Sequence, residues 1–214
     1  MRNVLASEGP HEGSGPRRDQ SVAKNISNNE EDPMKTAHSI IAACLFLSTV
    51  SFGQTFTLKS SDVGGQATDQ QVFNGFGCSG ANISPELSWS NAPAGTKSFA
   101  VTMYDPDAPT GSGWWHWVMF DIPATTTELP TNAGNVKLNL APKGSIQSVT
   151  DFGVPGYGGP CPPQGDASHQ YIITVYALKV EKLGLDQSAS PALVGFSLHG
   201  ATIAKASIVM YYKR

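Results

Sequence analysis

Tyr104-Asp105-Pro106-Asp107-Ala108-Pro109 runs through Thr110-Gly111-Ser112-Gly113 into Trp114-Trp115-His116-Trp117. On its left, Phe99, Val101 and Met103 alternate with Ala100 and Thr102; on its right, an apolar run leads from Trp117 to Phe120 and Ile122. Both flanks read as strands, over 97–104 and 115–122. The Pro-, Gly- and Asp-rich segment between them reads as a loop. If the strands are antiparallel neighbours, Asp105 ends one and His116 begins the next, so both side chains sit at one end of a sheet. That juxtaposition is a candidate site. The competing reading is a polar hairpin loop, because loops ordinarily carry such residues.

Outward from this pair, the chain reads as mostly β. Residues 54–60 alternate as a first strand, Val72-Phe73-Asn74 as a short one, and 86–89 as another. Gly75-Phe76-Gly77-Cys78-Ser79-Gly80 is glycine-rich but lacks the spacing and following helix of a phosphate-cradling loop. Residues 145–150 read as a further strand. Gly156-Tyr157-Gly158-Gly159-Pro160-Cys161-Pro162-Pro163 is a loop in which prolines fix φ while glycines allow close backbone approach. The run from Ile172 to Leu178 is β-branched and aromatic. His169 and Tyr171 stand at its entrance on one face, since side chains two apart do so on a strand. Helical signals lie only in 180–204. Ser190-Pro191 can start a helix, with Leu193, Val194, Phe196 and Leu198 as its apolar stripe. The segment 203–212 reads as a helix end followed by a strand.

Composition agrees. Gly 22 and Pro 15 in 214 residues favour turns and β structure. A net charge of −3 with no basic block argues against nucleic acid as a partner.

The front of the chain reads differently. Residues 1–33 are polar and without hydrophobic periodicity, so they read as a disordered or mis-assigned extension, with translation starting at Met34. Residues 34–53 read as a secretory signal: a short basic start, an apolar run from Ile40 to Phe52, and small residues at Ser51 and Gly53. The expected cut follows Gly53, which leaves 54–214 as one exported domain, periplasmic or secreted. The apolar run falls short of the roughly 20 residues a membrane span needs. Too few apolar residues precede Cys44 for a lipidation site.

Past the expected cut, two cysteines remain, Cys78 and Cys161. In an exported chain they invite a disulfide, and their Gly/Pro-rich loops favour it over two buried thiols. Chain entropy would make such a bridge worth at most roughly 4–5 kcal/mol.

The titratable groups able to converge are Asp105, Asp107, His116 and His169. A carboxylate beside an imidazole orients it and favours its protonated form. Here Asp105 is expected to orient His116. Imidazole N–H groups, with backbone N–H groups from Gly158 and Gly159, suit a small oxyanion. Tyr157 and Tyr171 can add hydroxyl donors, and Trp115 and Trp117 can wall the pocket. Two histidines and a carboxylate can also hold a transition metal, but no local ligand spacing supports one, and no metal or cofactor is expected. A hydrolase would need a nucleophile. Ser112 and Ser168 are available, yet neither lies in a strand–elbow–helix motif.

The blocks Asp105-Pro106-Asp107-Ala108-Pro109, Trp115-His116, and Gly159-Pro160 through Gly165 to His169-Gln170-Tyr171 resemble the signatures of the phosphatidylethanolamine-binding protein family. Gly77-Cys78 with Asn82, Ser84-Pro85 and Tyr157 to Pro163 are similar to its bacterial, Raf-kinase-inhibitor-like branch. The likeness runs from about residue 55 to the end. It implies two antiparallel β-sheets with one or two peripheral C-terminal helices. It also implies an anion pocket lined by Asp105, Asp107, His116, Gly159, Pro160, His169 and Tyr171. Members hold phosphate groups or phosphorylated head groups there, and some modulate kinases or proteases. The expected function is therefore a non-enzymatic binding protein for a small phosphorylated or carboxylated anion. The alternatives are a protein-interaction module inhibiting a protease or kinase and, third, a hydrolase using the Asp/His site. Eukaryotic relatives carry a longer insert between the Asp-Pro-Asp and Trp-His blocks. Here it is only 110–114, so the pocket rim differs.

Overall fold

The structure, a computed structural model, describes residues 54–214. The expected extension over 1–33, the start at Met34, the signal segment over 34–53 and Cys44 lie outside the described residues.

Strand β5 (Ser98–Asp105) is buried along both faces, and the face opposite Phe99, Val101 and Met103 carries the small residues Ser98, Ala100 and Thr102 rather than charged ones. Phe99, Val101 and Met103 enter one core, and Ala100 enters another on the opposite face. β6 (Trp114–Pro123) pairs with one edge of β5 and β9 (His169–Leu178) with the other, both antiparallel. β10 (Thr202–Tyr212) continues the sheet beyond β9, and β8 (Ile146–Gln147) beyond β6, giving the order β10-β9-β5-β6-β8. A second, three-stranded antiparallel sheet is built from β1 (Thr57–Lys59), β4 (Leu87–Ser90) and β7 (Glu128–Leu129), in the order β1-β4-β7. β2 (Asn74–Gly75) and β3 (Cys78–Ser79) form a small hairpin.

The larger core joins side chains of both main sheets. Leu58, Leu87, Trp89 and Leu129 from the smaller sheet pack with Phe99, Met103, Trp117, Ile173 and Val175 from the larger. Full burial of such side chains is worth about 1.5–3 kcal/mol each. The opposite face of the large sheet is covered by α1 (Pro191–Ala201), whose Pro191, Val194, Leu198 and Ala201 are buried at helical spacing. Ser190 caps it, its Oγ accepting from the Leu193 N–H at 3.3 Å.

Several expected details change. The helix stripe is narrower than the pattern suggested: Leu193 and Phe196 are exposed, Phe196 at 78%. They fall between the buried positions once the helix is fixed on Val194 and Leu198. The strand expected over 145–150 is only Ile146–Gln147: the Ser148 N–H still donates to Val118 of β6, but the next residues bond elsewhere, the Val149 N–H to Gln187 and the Thr150 N–H to Val154. The whole segment from Thr202 is strand, with no helical start at 203.

β6 carries two register shifts against β5. Between the pairs Phe99↔Ile122 and Val101↔Met119 it has one residue more than β5, and between Met103↔Trp117 and Tyr104↔Trp115 it has another. The second extra residue is His116. Such bulges leave a residue out of the ladder and re-aim it.

Candidate functional site

The bulge places His116 where the larger core opens at the end of the sheet. Its own carbonyl, free of the β5 ladder, accepts the Gly158 N–H at 2.9 Å. Its Nδ1 bonds the Gly158 carbonyl at 2.7 Å. A carbonyl only accepts, so Nδ1 carries the hydrogen and neutral His116 has a lone pair at Nε2. Burial pulls this imidazole down to about 4, against the opposing influence of the Gly158 carbonyl and the Asp105 carboxylate. His116 is thus neutral at pH 7.

Asp105 orients the other histidine. Its Oδ2 lies 2.8 Å from His169 Nδ1, with both side chains almost fully buried. Its Oδ1 accepts the N–H groups of Asp107 at 2.8 Å and Ala108 at 3.1 Å, which turns the chain into the Pro-rich loop. The expected Asp105–His116 pair is therefore replaced by Asp105–His169. The reason is register: Tyr104 lies opposite Ile172 across the β5–β9 ladder, which carries Asp105 alongside the entrance of β9. Asp166 approaches the other ring nitrogen of His169 at 3.4 Å. Tyr171, two residues along β9, packs edge-on against His116 with ring centroids 5.0 Å apart. Its buried hydroxyl has no hydrogen-bond partner among the described residues. Burial raises its pKa above the ordinary phenol range, and the charge of nearby Asp105 adds to this.

These four side chains line one cavity of about 210 Å³. That is smaller than the roughly 300–1,000 Å³ of pockets for drug-sized ligands, so a small ligand fits. The remaining wall is mostly apolar: Phe76, Pro109, Trp114, Phe152, Pro162 and Pro163. Phe152 is its hub, with ring centroids 4.5 Å from Phe73, 5.8 Å from Phe76, 5.5 Å from Trp114 and 5.4 Å from His116. The Asp151 carboxylate holds this loop by accepting the Trp115 N–H at 2.7 Å. A wider, shallower depression of about 790 Å³ lies along 135–147 and includes none of these groups.

Asp107, Gly159 and Pro160 are not in the cavity wall. Asp107 accepts the Gln170 N–H at 2.8 Å and so ties the loop to the start of β9. Gly159 packs against the 71–73 segment: a Cβ there would lie 1.9 Å from the Gln71 carbonyl oxygen. Its N–H donates to Asn82 Oδ1 at 2.7 Å, and the Gly158 N–H is engaged with His116, so neither is free for an oxyanion. Pro160 accepts the Phe73 N–H at 3.0 Å.

Neither expected tryptophan walls the cavity. Trp117 is in the core with Nε1 donating to Gln147, and Trp115 packs on Tyr104 at 4.6 Å. The Tyr157 hydroxyl donates to the Gln71 carbonyl at 3.1 Å and is not a pocket donor. Ser112 and Ser168 are absent from the lining of this cavity. Sequence reasoning missed Phe152, Trp114 and Phe76 as wall residues. The one available signal was an aromatic side chain within a Gly-rich loop, which core aromatics share.

Cys161 also lines the cavity and is bonded to Cys78, with Cα atoms 6.0 Å apart. The bridge fastens the Phe76 wall to the Pro162-Pro163 wall. Arg214 lies against it, Nη1 donating to the Phe76 carbonyl at 3.2 Å. No helix among the described residues is long and apolar enough to cross a membrane.

Residues 63–213 match the pattern of a family described as phosphatidylethanolamine-binding protein. The UPF0098 protein YbcL of Escherichia coli K12 is 50% identical over 170 residues, covering 78% of this chain and 93% of that protein. YbhB of the same organism, also a UPF0098 protein, is 52% identical over 157 residues, covering 72% and 98%. The crystal structure of E. coli YbcL, described as a new member of the mammalian PEBP family, superposes with a TM-score of 0.74. It shares 52% identity and covers 75% of this chain and 99% of its own. A PEBP homolog from Chlamydia trachomatis, CT736, gives a TM-score of 0.62 at 27% identity, covering 75% and 98%. The antiparallel sheets, the C-terminal helix, the sequence match and the overlaid relatives agree: this chain belongs to the phosphatidylethanolamine-binding protein family, a family of binding proteins.

Proposed function

We propose that the protein is an exported, non-enzymatic binding protein whose pocket takes a small phosphorylated or carboxylated ligand. One observation carries this reading: His116, Asp105, His169 and Tyr171 arrive from three strands at one small cavity with apolar walls. Asp105 and His169 form a buried, mutually satisfied pair that fixes the floor. His116 is the polar group with an unengaged ring nitrogen. Sites of this composition bind by shape and a few placed polar groups. Export is supported by the signal-like stretch at 34–53 and by the Cys78–Cys161 bridge, since such bonds persist in oxidising compartments.

The test is calorimetric titration of the purified protein with phosphoethanolamine at pH 6, with His116→Ala as control. Saturable one-site binding that the variant loses is the expected result. A folded protein that gives no heat at millimolar ligand would refute the reading for phosphorylated head groups.

A further inference from the structure

Resting on the pocket reading above, we infer that the ligand is held with one proton more than its free anion carries at neutral pH, and that its acid group is joined to an apolar body such as an aryl ring. The cavity is poor in donors. The N–H groups of Asp107 and Ala108 are taken by Asp105, that of Gly158 by the His116 carbonyl, and that of Gly159 by Asn82. The Thr110 hydroxyl donates to the Gly113 carbonyl. No lysine or arginine is among the lining residues. Both nitrogens of His169 face carboxylates, Asp105 and Asp166.

Of the polar groups on the β5 and β6 side of the floor, what remains for a ligand is the His116 lone pair at Nε2, with the Asp105 carboxylate beside it. Both are acceptors, and the uncommitted donors among the lining side chains are two neutral ones, the Tyr171 hydroxyl and the Trp114 indole N–H. A fully ionised oxyanion would meet these acceptors with lone pairs only, and with its charge beside that of Asp105 at a floor of almost fully buried side chains, where an unpaired charge is costly. An acid that keeps its hydrogen donates O–H to Nε2 instead. The proton then stays on the ligand oxygen or passes to Nε2. Either way the complex holds one proton more than free anion plus neutral His116, and the Tyr171 hydroxyl at the floor and the Trp114 indole N–H at the wall can donate to its remaining oxygens.

The titratable groups around His116 come from every packed element: Asp105 on β5, His169 and Tyr171 on β9, Tyr157 before Gly158, and Asp151 on the Phe152 loop, with Asp166 behind His169. Asp105 and the carbonyls of Gly158 and Gly159 favour protonation of His116, while burial and His169 oppose it, burial prevailing. A ligand that brings the proton overcomes that opposition. The apolar body follows from the walls. Phe76, Trp114, Phe152, Pro162 and Pro163 present ring faces and methylenes that a bare phosphate leaves unmatched, and Phe76 is 69% exposed. An aryl group would cover it.

The experiment titrates the purified protein with phenyl phosphate and with inorganic phosphate at pH 7 and pH 8, each in two buffers of different ionisation enthalpy. A phosphate monoester loses its second proton near pH 6, so it is a dianion at pH 8. For phenyl phosphate the expected result is uptake of about one proton per site at pH 8 and an affinity close to tenfold weaker at pH 8 than at pH 7, with phenyl phosphate at least tenfold tighter than phosphate at pH 8. His116→Gln, which keeps an amide donor for the Gly158 carbonyl, should weaken phenyl phosphate at least tenfold. If that variant fails to fold, the proton count of the unaltered protein decides. Binding without proton uptake overturns the inference and leaves the anion pocket standing. Equal affinity for the two ligands overturns the apolar body in the same way. No binding of either overturns both readings.

Discussion

Replacing His116 by Gln should flatten the acid limb of the stability curve. In the unfolded chain this imidazole titrates near 6.5; in the fold, burial holds it at about 4. The folded value is the lower one. Between these limits the unfolded state takes up a proton that the folded state refuses, so stability falls as pH falls. It is fully present above about pH 7, lost progressively to pH 4, and constant below. Each tenfold difference in proton affinity between the two states is worth about 1.4 kcal/mol. The loss relative to pH 7 is then about 2 kcal/mol at pH 5 and about 3 kcal/mol near pH 4. Other carboxylates and histidines contribute to the raw curve, but they largely cancel between the protein and the variant where they lie apart from His116. Urea unfolding at half-unit steps from pH 7.5 to 4.5 gives the difference directly. The advantage of the unaltered protein over His116→Gln should shrink by about 2 kcal/mol between pH 7 and pH 5. A carbon or nitrogen chemical-shift titration of the His116 ring provides the second check, with hydrogen on Nδ1 at neutral pH. Parallel stability curves, or a ring midpoint at 6 or above, would refute the argument that burial prevails over Asp105.

Other substitutions separate structure from binding. Tyr171→Phe removes a buried hydroxyl that has no partner among the described residues. An unsatisfied group of this kind costs about 1–3 kcal/mol, so the variant should unfold at equal or higher urea concentration. Gly159→Ala should cost about 1–3 kcal/mol through overpacking, because its Cβ meets the Gln71 carbonyl at 1.9 Å; an unchanged midpoint would contradict that contact. Cys78→Ala with Cys161→Ala opens a link spanning 83 residues and should cost up to about 4–5 kcal/mol by chain entropy, read as a lowered unfolding midpoint. Trp114→Ala should weaken a pocket ligand, whereas Trp115→Ala should lower stability through its lost packing on Tyr104 and leave affinity within twofold.

Much of the fold was legible because its signals are local. Period-two alternation in 99–103 and the β-branched run 172–178 report strands whatever surrounds them. Four pocket residues were legible for the same reason: each sits at the end of such a strand. The pairing of Asp105 with His169 was not, since it depends on the register of β9 against β5. Nor was the engagement of the Gly158 and Gly159 N–H groups. A glycine-rich loop looks like a set of open donors until one sees that Asn82 and the His116 carbonyl occupy them. The width of the helix stripe failed for a third reason. Leu193 and Phe196 are apolar, and apolarity alone does not say which face of a helix finds a partner.

The tryptophans show how one residue decides the site. With strict alternation along β6, the parity of Trp117, which faces the larger core, would extend to Trp115 and would send Trp114 and His116 to the helix-covered face. The bulge at His116 reverses this. Trp115 becomes the partner of Tyr104 and packs with the core beneath α1, while Trp114 becomes the partner of Asp105 and turns to the cavity. His116 itself drops out of the ladder, and its main chain and ring both attach to Gly158. The same insertion therefore supplies the wall, the aimed imidazole and the fixed tautomer. Nothing in Trp-Trp-His-Trp marks it. A bulge is stabilised by what receives the displaced residue, and here the receiving Gly158 loop lies more than forty residues further along the chain.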